Sequence, residues 1–286
     1  MDLCDINHIK PLLARHGFHF SKSLGQNFLT AAWVPEDIAA SAGLDTDTGV
    51  LEIGPGIGCL TVELAKRAKK VVAIELDRAL LPVLAETLGE YPNTEVIHGD
   101  ILKLDLQALV SEQFGGLRPV VCANLPYNIT TPILTKLIDS ELFEQITVMI
   151  QREVALRLCA LAGSSDYGAI SLYIAYHTEP TLLFDVSPDC FIPAPKVTSS
   201  VITLKKRTAP PVDTDPGALF RVIKLAFAQR RKTLLNCLNT GLPHASKEEL
   251  SRIIESLGHD PRIRGETLNL EAFAKLTDAL LGAGLL

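Results

Sequence analysis

The stretch that most limits the fold runs from Val50 to Ala68. Val50-Leu51-Glu52-Ile53 is an apolar run of strand length, Gly54-Pro55-Gly56-Ile57-Gly58 is a turn with three glycines, and a helix is expected over Leu60 to Ala68. A strand that enters a helix through glycines opens an α/β unit, with the turn at the carboxyl edge of a sheet, where ligands bind. The alternation continues with a strand at 71–75, a helix at 79–88, strands at 95–98 and 119–123, a helix at 131–139 and a strand at 146–150. That order predicts a parallel sheet with helices on both faces. Gln151 to Leu161 reads as helical, 169–177 as a further strand, and 180–186 with 197–204 as a closing antiparallel pair.

After Lys205-Lys206-Arg207 the pattern changes. Thr208 to Pro216 is a Pro/Asp/Thr linker, and only helical periodicity follows it. Ser246-Lys247-Glu248-Glu249 has the capping-box pattern, and Asn269 is placed to cap a helix over Leu270 to Leu281. The expected division is therefore a first domain at 1–207 and a helical domain at 208–286.

Of the 286 residues 47% are hydrophobic and 21% charged, and no apolar run approaches the ~18–20 residues of a membrane span. Asp2, Asp5, Asn7 and His8 stand where a signal peptide would be apolar. A soluble, cytoplasmic protein with no membrane partner is expected. The six cysteines are scattered, with no C-x-x-C and no histidine at ligand spacing, so free thiols and no metal are expected. The formal net charge is −6, yet Lys205 to Lys232 holds eight basic residues against two acids. Such a local excess steers a polyanion where the total charge does not. Lys205, Lys206, Arg207, Arg221, Lys224, Arg230, Arg231 and Lys232 are the candidate RNA contacts, although charge clusters are also commonly solvated helix faces.

The glycine turn narrows the choice of cofactor. In an NAD site the pattern is G-x-G-x-x-G, whereas here the third glycine comes one place early and Cys59 stands in its position. Glu75 closes the second strand, where a carboxylate can accept hydrogen bonds from both ribose hydroxyls. Asp77 lies two residues on, past the strand tip. Asp100 ends the third strand, placed either to take a hydrogen bond from an adenine amine or to cap the turn ahead of Ile101-Leu102. Acids at consecutive strand ends with an E-x-G-x-G-x-G turn favour S-adenosylmethionine, held by Gly54, Gly56, Gly58, Glu75 and Asp100.

The fourth strand runs into Asn124-Leu125-Pro126-Tyr127 at the same edge. An adenine exocyclic amine is a poor nucleophile because its lone pair is delocalised into the ring. Two acceptors that hold its hydrogens favour a pyramidal nitrogen able to attack a sulfonium methyl. The Asn124 oxygen and the Leu125 carbonyl are the candidates, with Pro126 stiffening the second and Tyr127 offering a stacking face. A base modified in this way must first leave its stack.

With these motifs in place, the chain from about Phe20 to Leu238 closely resembles the KsgA-type ribosomal RNA adenine dimethyltransferases. Ser23-Leu24-Gly25-Gln26-Asn27-Phe28-Leu29 is similar to the family's cofactor-closing segment, which implies that Asn27 and Leu29, with Asn124, also contact S-adenosylmethionine. Gln151-Arg152-Glu153-Val154-Ala155, Tyr167-Gly168 and Gln229-Arg230-Arg231-Lys232-Thr233-Leu234 match as well. So does Phe191-x-Pro193-x-Pro195-x-Val197-x-Ser199, which implies that Phe191 stacks on the target base opposite Tyr127. Thr198 stands where the family commonly has Asp.

The resemblance implies a Rossmann-like α/β methyltransferase domain with a smaller all-helical C-terminal domain. The activity it implies is dimethylation of two adjacent adenosines in the 3′-terminal hairpin loop of 16S rRNA, by a monomer acting on the assembling small subunit. The alternatives are an Erm-type large-subunit methylase, a non-catalytic ribosome-assembly factor and an NAD oxidoreductase.

Overall fold

The computed structural model describes residues 2–20, 26–229 and 231–286. In chain order the elements are α1 (Ile6–Arg15), β1 (Phe28–Leu29), α2 (Trp33–Ser41), β2 (Thr48–Ile53), α3 (Cys59–Ala65), β3 (Lys70–Glu75) and α4 (Leu81–Thr87). There follow β4 (Thr94–His98), α5 (Leu106–Phe114), β5 (Arg118–Asn124), α6 (Thr130–Asp139), β6 (Gln145–Gln151) and α7 (Arg152–Leu158). The rest are α8 (Ala169–His177), β7 (Thr178–Val186), β8 (Phe191–Ile192), β9 (Ser199–Lys206), α9 (Pro216–Ala226), α10 (Leu234–Gly241), α11 (Lys247–Ser256) and α12 (Leu270–Gly282).

Seven strands form one sheet in the order β4-β3-β2-β5-β6-β9-β7. β4, β3, β2, β5 and β6 are parallel, and β9 runs antiparallel to β6. Every residue of β2 is buried, as a strand covered by helices on both faces requires. Strand order reverses between β2 and β5, where the chain goes first to β3 and β4 on one side and then to β5 and β6 on the other. The crevice at the carboxyl ends of strands flanking such a reversal is where open α/β sheets bind ligands. β1 and β8 form a separate two-stranded ladder, with Phe28 opposite Ile192 and Leu29 opposite Phe191.

The chain divides into two compact units, Met1–Ala155 with Thr181–Lys206, and Leu156–Pro180 with Arg207–Leu286. The segment 156–180, expected within the first domain, thus belongs to the second unit. Residues 169–177, expected as a strand, form the helix α8. Ala-Ile-Ser-Leu-Tyr-Ile-Ala-Tyr-His is apolar nearly all round, so no period separates helix from strand. What decides it is local bonding and packing. The Ser171 hydroxyl accepts the Gly168 N–H at 3.1 Å and donates to the Arg157 carbonyl at 2.6 Å, and Leu172 and Tyr176 enter the second unit's core.

That core also takes Leu219, Leu238, Leu250 and the fully buried Phe273, one or more from each of α9 to α12. The helix starts follow the sequence. Asp215 accepts the Ala218 N–H ahead of Pro216, Ser246 accepts from Glu249, and Asn269 accepts from Ala272.

Candidate active site

A cavity of about 300 Å³ opens at the carboxyl edge of the first unit's sheet, walled by the ends of β2, β3, β4 and β5 and by residues 26–29. Its floor is the glycine turn. Gly54, Gly56 and Gly58 have φ of 69°, 62° and 95°, in the left-handed region that side chains resist. Hydrogen bonds of 2.9 Å from Gly54 N–H to the Ile74 carbonyl and from Gly58 N–H to the Pro55 carbonyl hold the turn. A Cβ on Gly54 would meet no protein atom within 4 Å, so space above the turn is left open. At Gly56 the Phe28 ring lies 3.2 Å from where a Cβ would stand. Phe28 thereby lays β1 across the turn and brings Asn27 and Leu29 into the cavity wall. Gln26 Nε2 adds a hydrogen bond to Asp77 Oδ2 at 2.7 Å. Ser23, Leu24 and Gly25 of the same motif lie outside the described residues.

Two buried carboxyls face this floor. Glu75, at the tip of β3, accepts the Asp77 N–H at 2.7 Å. Burial nevertheless pushes its pKa up to about 7, against backbone donors that favour the charged form. Asp77 itself stands beyond the wall, capping the next turn through the Ala79 N–H. Glu52, fully buried on β2, is raised to about 8, first by burial and further by the charge of Glu75, while Thr61 pulls the other way. Neither Glu52 Oε2 nor Thr61 Oγ1 has a hydrogen-bond partner of normal geometry. Glu52 entered the sequence reading only as the first letter of the motif; its burial in the cavity wall was missed.

Asp100 caps the turn from within the cavity lining. Its Oδ1 accepts the Leu102 N–H at 3.0 Å, with Lys103 Nζ 3.4 Å from Oδ2. The turn that carries it is closed by Lys136 of α6, whose Nζ donates to the Leu102 and Leu104 carbonyls at 2.9 and 2.6 Å.

Opposite the glycine turn, Asn124, Leu125, Pro126 and Tyr127 line the wall. The Leu125 side chain is buried and its N–H donates to the Met149 carbonyl at 3.0 Å, which pins the turn to β6. Thr130 Oγ1 donates to the Pro126 carbonyl at 3.1 Å. Tyr127 is half-buried; burial raises its pKa, so the phenol stays protonated, and its hydroxyl meets Ser199 Oγ at 2.5 Å.

Phe191 is not brought to this wall. It is 4% exposed, packs in the first unit's core and is absent from the cavity lining. The stacking role implied for it is not seen in this geometry.

The basic residues separate by unit. Lys205 and Lys206 end β9 in the first unit and are exposed, and Lys206 Nζ donates to the Glu141 carbonyl. In the second unit Arg207 is engaged, with its guanidinium on the Ala175 carbonyl at 2.9 Å and Glu179 at 3.1 Å. Arg221 and Lys224 are exposed on α9, and Arg231 and Lys232 are exposed in the turn before α10. Arg230 lies outside the described residues. No described helix is long and apolar enough to cross a membrane.

Comparison with known proteins gives a consistent picture. Residues 17–268 match the family described as Ribosomal RNA adenine dimethylase. A Geobacillus thermodenitrificans protein named Ribosomal RNA small subunit methyltransferase A is 48% identical over 285 residues, covering 98% of this chain and 97% of its own length. A protein of the same name from Bacillus mycoides is 48% identical over 286 residues, with 98% of each covered. Among solved structures, a dimethyladenosine transferase from Plasmodium falciparum superposes with a TM-score of 0.76 at 27% identity, covering 90% of this chain and 98% of its own. The 23S rRNA methyltransferase ErmE gives 0.69 at 26% identity, covering 88% and 99%.

Proposed function

We infer, because the chain belongs to the ribosomal RNA adenine dimethylase family, that it transfers methyl groups from S-adenosylmethionine to the exocyclic N6 of adenines in small-subunit ribosomal RNA. The observation that carries this reading is a single cavity. On one side stand a glycine turn and two strand-end acids, on the other the Asn124-Leu125-Pro126-Tyr127 turn. The reading extends to 16S rRNA of the assembling small subunit, with two adjacent adenosines of the 3′-terminal hairpin loop each dimethylated, by a cytoplasmic monomer that needs no metal. The 48% identical relatives named for the small subunit favour this over a large-subunit substrate, for which the likeness is to a structure 26% identical.

The residues present fit S-adenosylmethionine. Gly54 leaves room for a ligand to pass close to the main chain, and Gly56 and Gly58 complete the turn. Glu75 is placed to accept from ribose hydroxyls and Asp100 from an adenine amine, with Asn27 and Leu29 closing the wall. Glu52, raised to about 8 by burial, keeps a neutral carboxyl beneath the turn, so no second negative charge opposes Glu75 there. Bound there, S-adenosylmethionine supplies a methyl on a positively charged sulfur, an electrophile that needs no strong base opposite it.

The chain's own part is to prepare the amine. Asn124 Oδ1 and the Leu125 carbonyl accept its two hydrogens and draw the lone pair out of conjugation. Pro126, at φ −59° and ψ 127°, holds that carbonyl's direction, and the buried Leu125 side chain keeps the turn from swinging. Tyr127 presents a ring face to the flipped base, a contact of ~1–3 kcal/mol by single-strand precedent. After one transfer the nitrogen is cationic and releases one proton to solvent; the hydrogen that remains returns to an acceptor once the amine has turned. Lys205, Lys206, Arg207, Arg221, Lys224, Arg230, Arg231 and Lys232 are assigned to the RNA backbone, so binding weakens as salt rises.

The test is incorporation of tritiated methyl into small subunits that lack the modification, with the product mapped by primer extension. Label in adjacent adenosines of the 3′-terminal loop is the expected result. Label confined to large-subunit RNA overturns the substrate, and no label with any RNA leaves the assembly-factor reading in its place.

A further inference from the structure

We propose that Ser199 is a positioning residue for methyl transfer, its hydroxyl holding the Tyr127 ring as the face against which the target base lies. This deepens the function proposed above and rests on its reading of Tyr127.

The two residues are 72 apart in sequence and their hydroxyl oxygens are 2.5 Å apart. Ser199 is fully buried at the first position of β9, opposite Gln151 of β6. A buried hydroxyl costs stability unless it is bonded, so a serine at this core position is explained by the partner it holds. The strand around it is fastened on both faces. Successive side chains of a strand point to opposite sides, and the next hydroxyl, Ser200, donates to Asp185 Oδ1 at 2.5 Å. Asp185 Oδ2 in turn receives Arg152 Nε at 2.9 Å, and the Thr198 carbonyl accepts the Arg152 N–H at 3.0 Å. Ser199 therefore cannot follow Tyr127 if the ring swings.

The turn that carries the tyrosine is tied to the neighbouring strand, β6. Leu125 N–H bonds the Met149 carbonyl, two residues before Gln151 on β6. A half-buried tyrosine with a free hydroxyl can exchange staggered rotamers. With the turn pinned through Leu125 and the hydroxyl held on Ser199, a change of rotamer at Tyr127 breaks the hydroxyl bond. The ring is then set before a base arrives, and the ordering cost is not charged to binding. The hydroxyl itself takes no part in the chemistry.

The test is a double-mutant cycle on the full chain, using S-adenosylmethionine and small subunits lacking the modification. Ser199→Ala and Tyr127→Phe cut the same bond from its two sides. Each is expected to lower kcat about tenfold, the scale of one lost hydrogen bond, while KM for S-adenosylmethionine stays within about twofold of the parent. The double variant is expected to fall no lower than either single, and Ser199→Thr, which keeps the hydroxyl, to recover most of the rate. Thermal unfolding confirms that each variant is folded; if Ser199→Ala is not, Tyr127→Phe against Ser199→Thr carries the comparison. An unchanged kcat in Tyr127→Phe, or losses that multiply in the double variant, overturns the proposal. Tyr127→Ala separates the two levels: if methylation is unaffected, the stacking reading falls and the proposal with it. If Tyr127→Ala loses about a hundredfold while Ser199→Ala and Tyr127→Phe lose nothing, only the role of Ser199 falls.

Discussion

The two walls of the cavity face each other across one sheet edge but are built on opposite plans. The glycine side carries two carboxyls that burial holds away from their charged form, Glu52 raised to about 8 and Glu75 to about 7. The Asn124 side has its turn fixed internally: Leu125 N–H, the Pro126 carbonyl and the Tyr127 hydroxyl each have a partner within the protein, and the two acceptors proposed for the amine stand on that turn. The first wall is shaped to be completed by what binds. The second is shaped to stay where it is while something else is bent to fit it, as preorganised catalytic groups are.

If that contrast is right, damage to the two walls must show up in different measurements. The largest effect is expected from Asn124→Ala, which removes an acceptor used in the transfer itself. A loss of methyl transfer on the order of 10²–10³-fold is expected, with rRNA binding largely intact in a filter or gel-shift assay. Retained turnover in the tritiated-methyl assay would remove the basis for calling this the chemical wall.

Gly54→Ala comes next and should act on the other side. An alanine at φ 69° costs about 1–2 kcal/mol of backbone strain, and its Cβ enters the open space above the turn. Calorimetric titration should show S-adenosylmethionine bound about tenfold more weakly, with kcat at saturation changed less than in Asn124→Ala. Unchanged affinity would mean that the ligand does not pass over this turn.

The smallest effect is a pH signature of the open wall. Glu52 has a folded pKa of about 8 against an ordinary 4.5, and Glu75 of about 7. Both are raised above their unfolded values, so the folded state holds protons that the unfolded chain has released. Stability from these groups is full on the acid side and declines as pH rises through about 7 and 8. Glu52→Gln, which cannot ionise, should therefore gain on the parent by roughly 5 °C in Tm between pH 5 and pH 9. The slope that remains should belong to Glu75 and end near pH 7. A parent with the same pH profile as the variant would place Glu52 in contact with water or an ion.

How far the sequence foretold this depends on whether a residue's task is local. The central strands were legible because burial on both faces writes continuous apolar runs, and Val50–Ile53 and Val71–Glu75 needed only end residues added. The glycine turn, Glu75 and the Asn124–Tyr127 turn were legible because each is a short motif at a strand end. Residues 169–177 were misread because an apolar surface all round carries no period. The short helices α2 and α5 and the helix α1, with Pro11 in its interior, left no expectation at all. Phe191 was assigned by motif, but its side chain is buried in the first unit's core, which spacing along the chain does not record. Ser199 was visible as the last letter of a motif. What it does was not, because its partner lies in another motif 72 residues earlier.

Lys136 gives the two walls a common fate. Its ammonium sits on α6, the helix that continues from Tyr127, and grips two carbonyls of the turn that carries Asp100. Neither piece can unfold locally without releasing the other, so residues 100–104 and the last turn of α6 form one cooperative opening unit. In amide exchange their protection should rise and fall together, and a breach at the adenine-side turn would be heard at the acceptor helix.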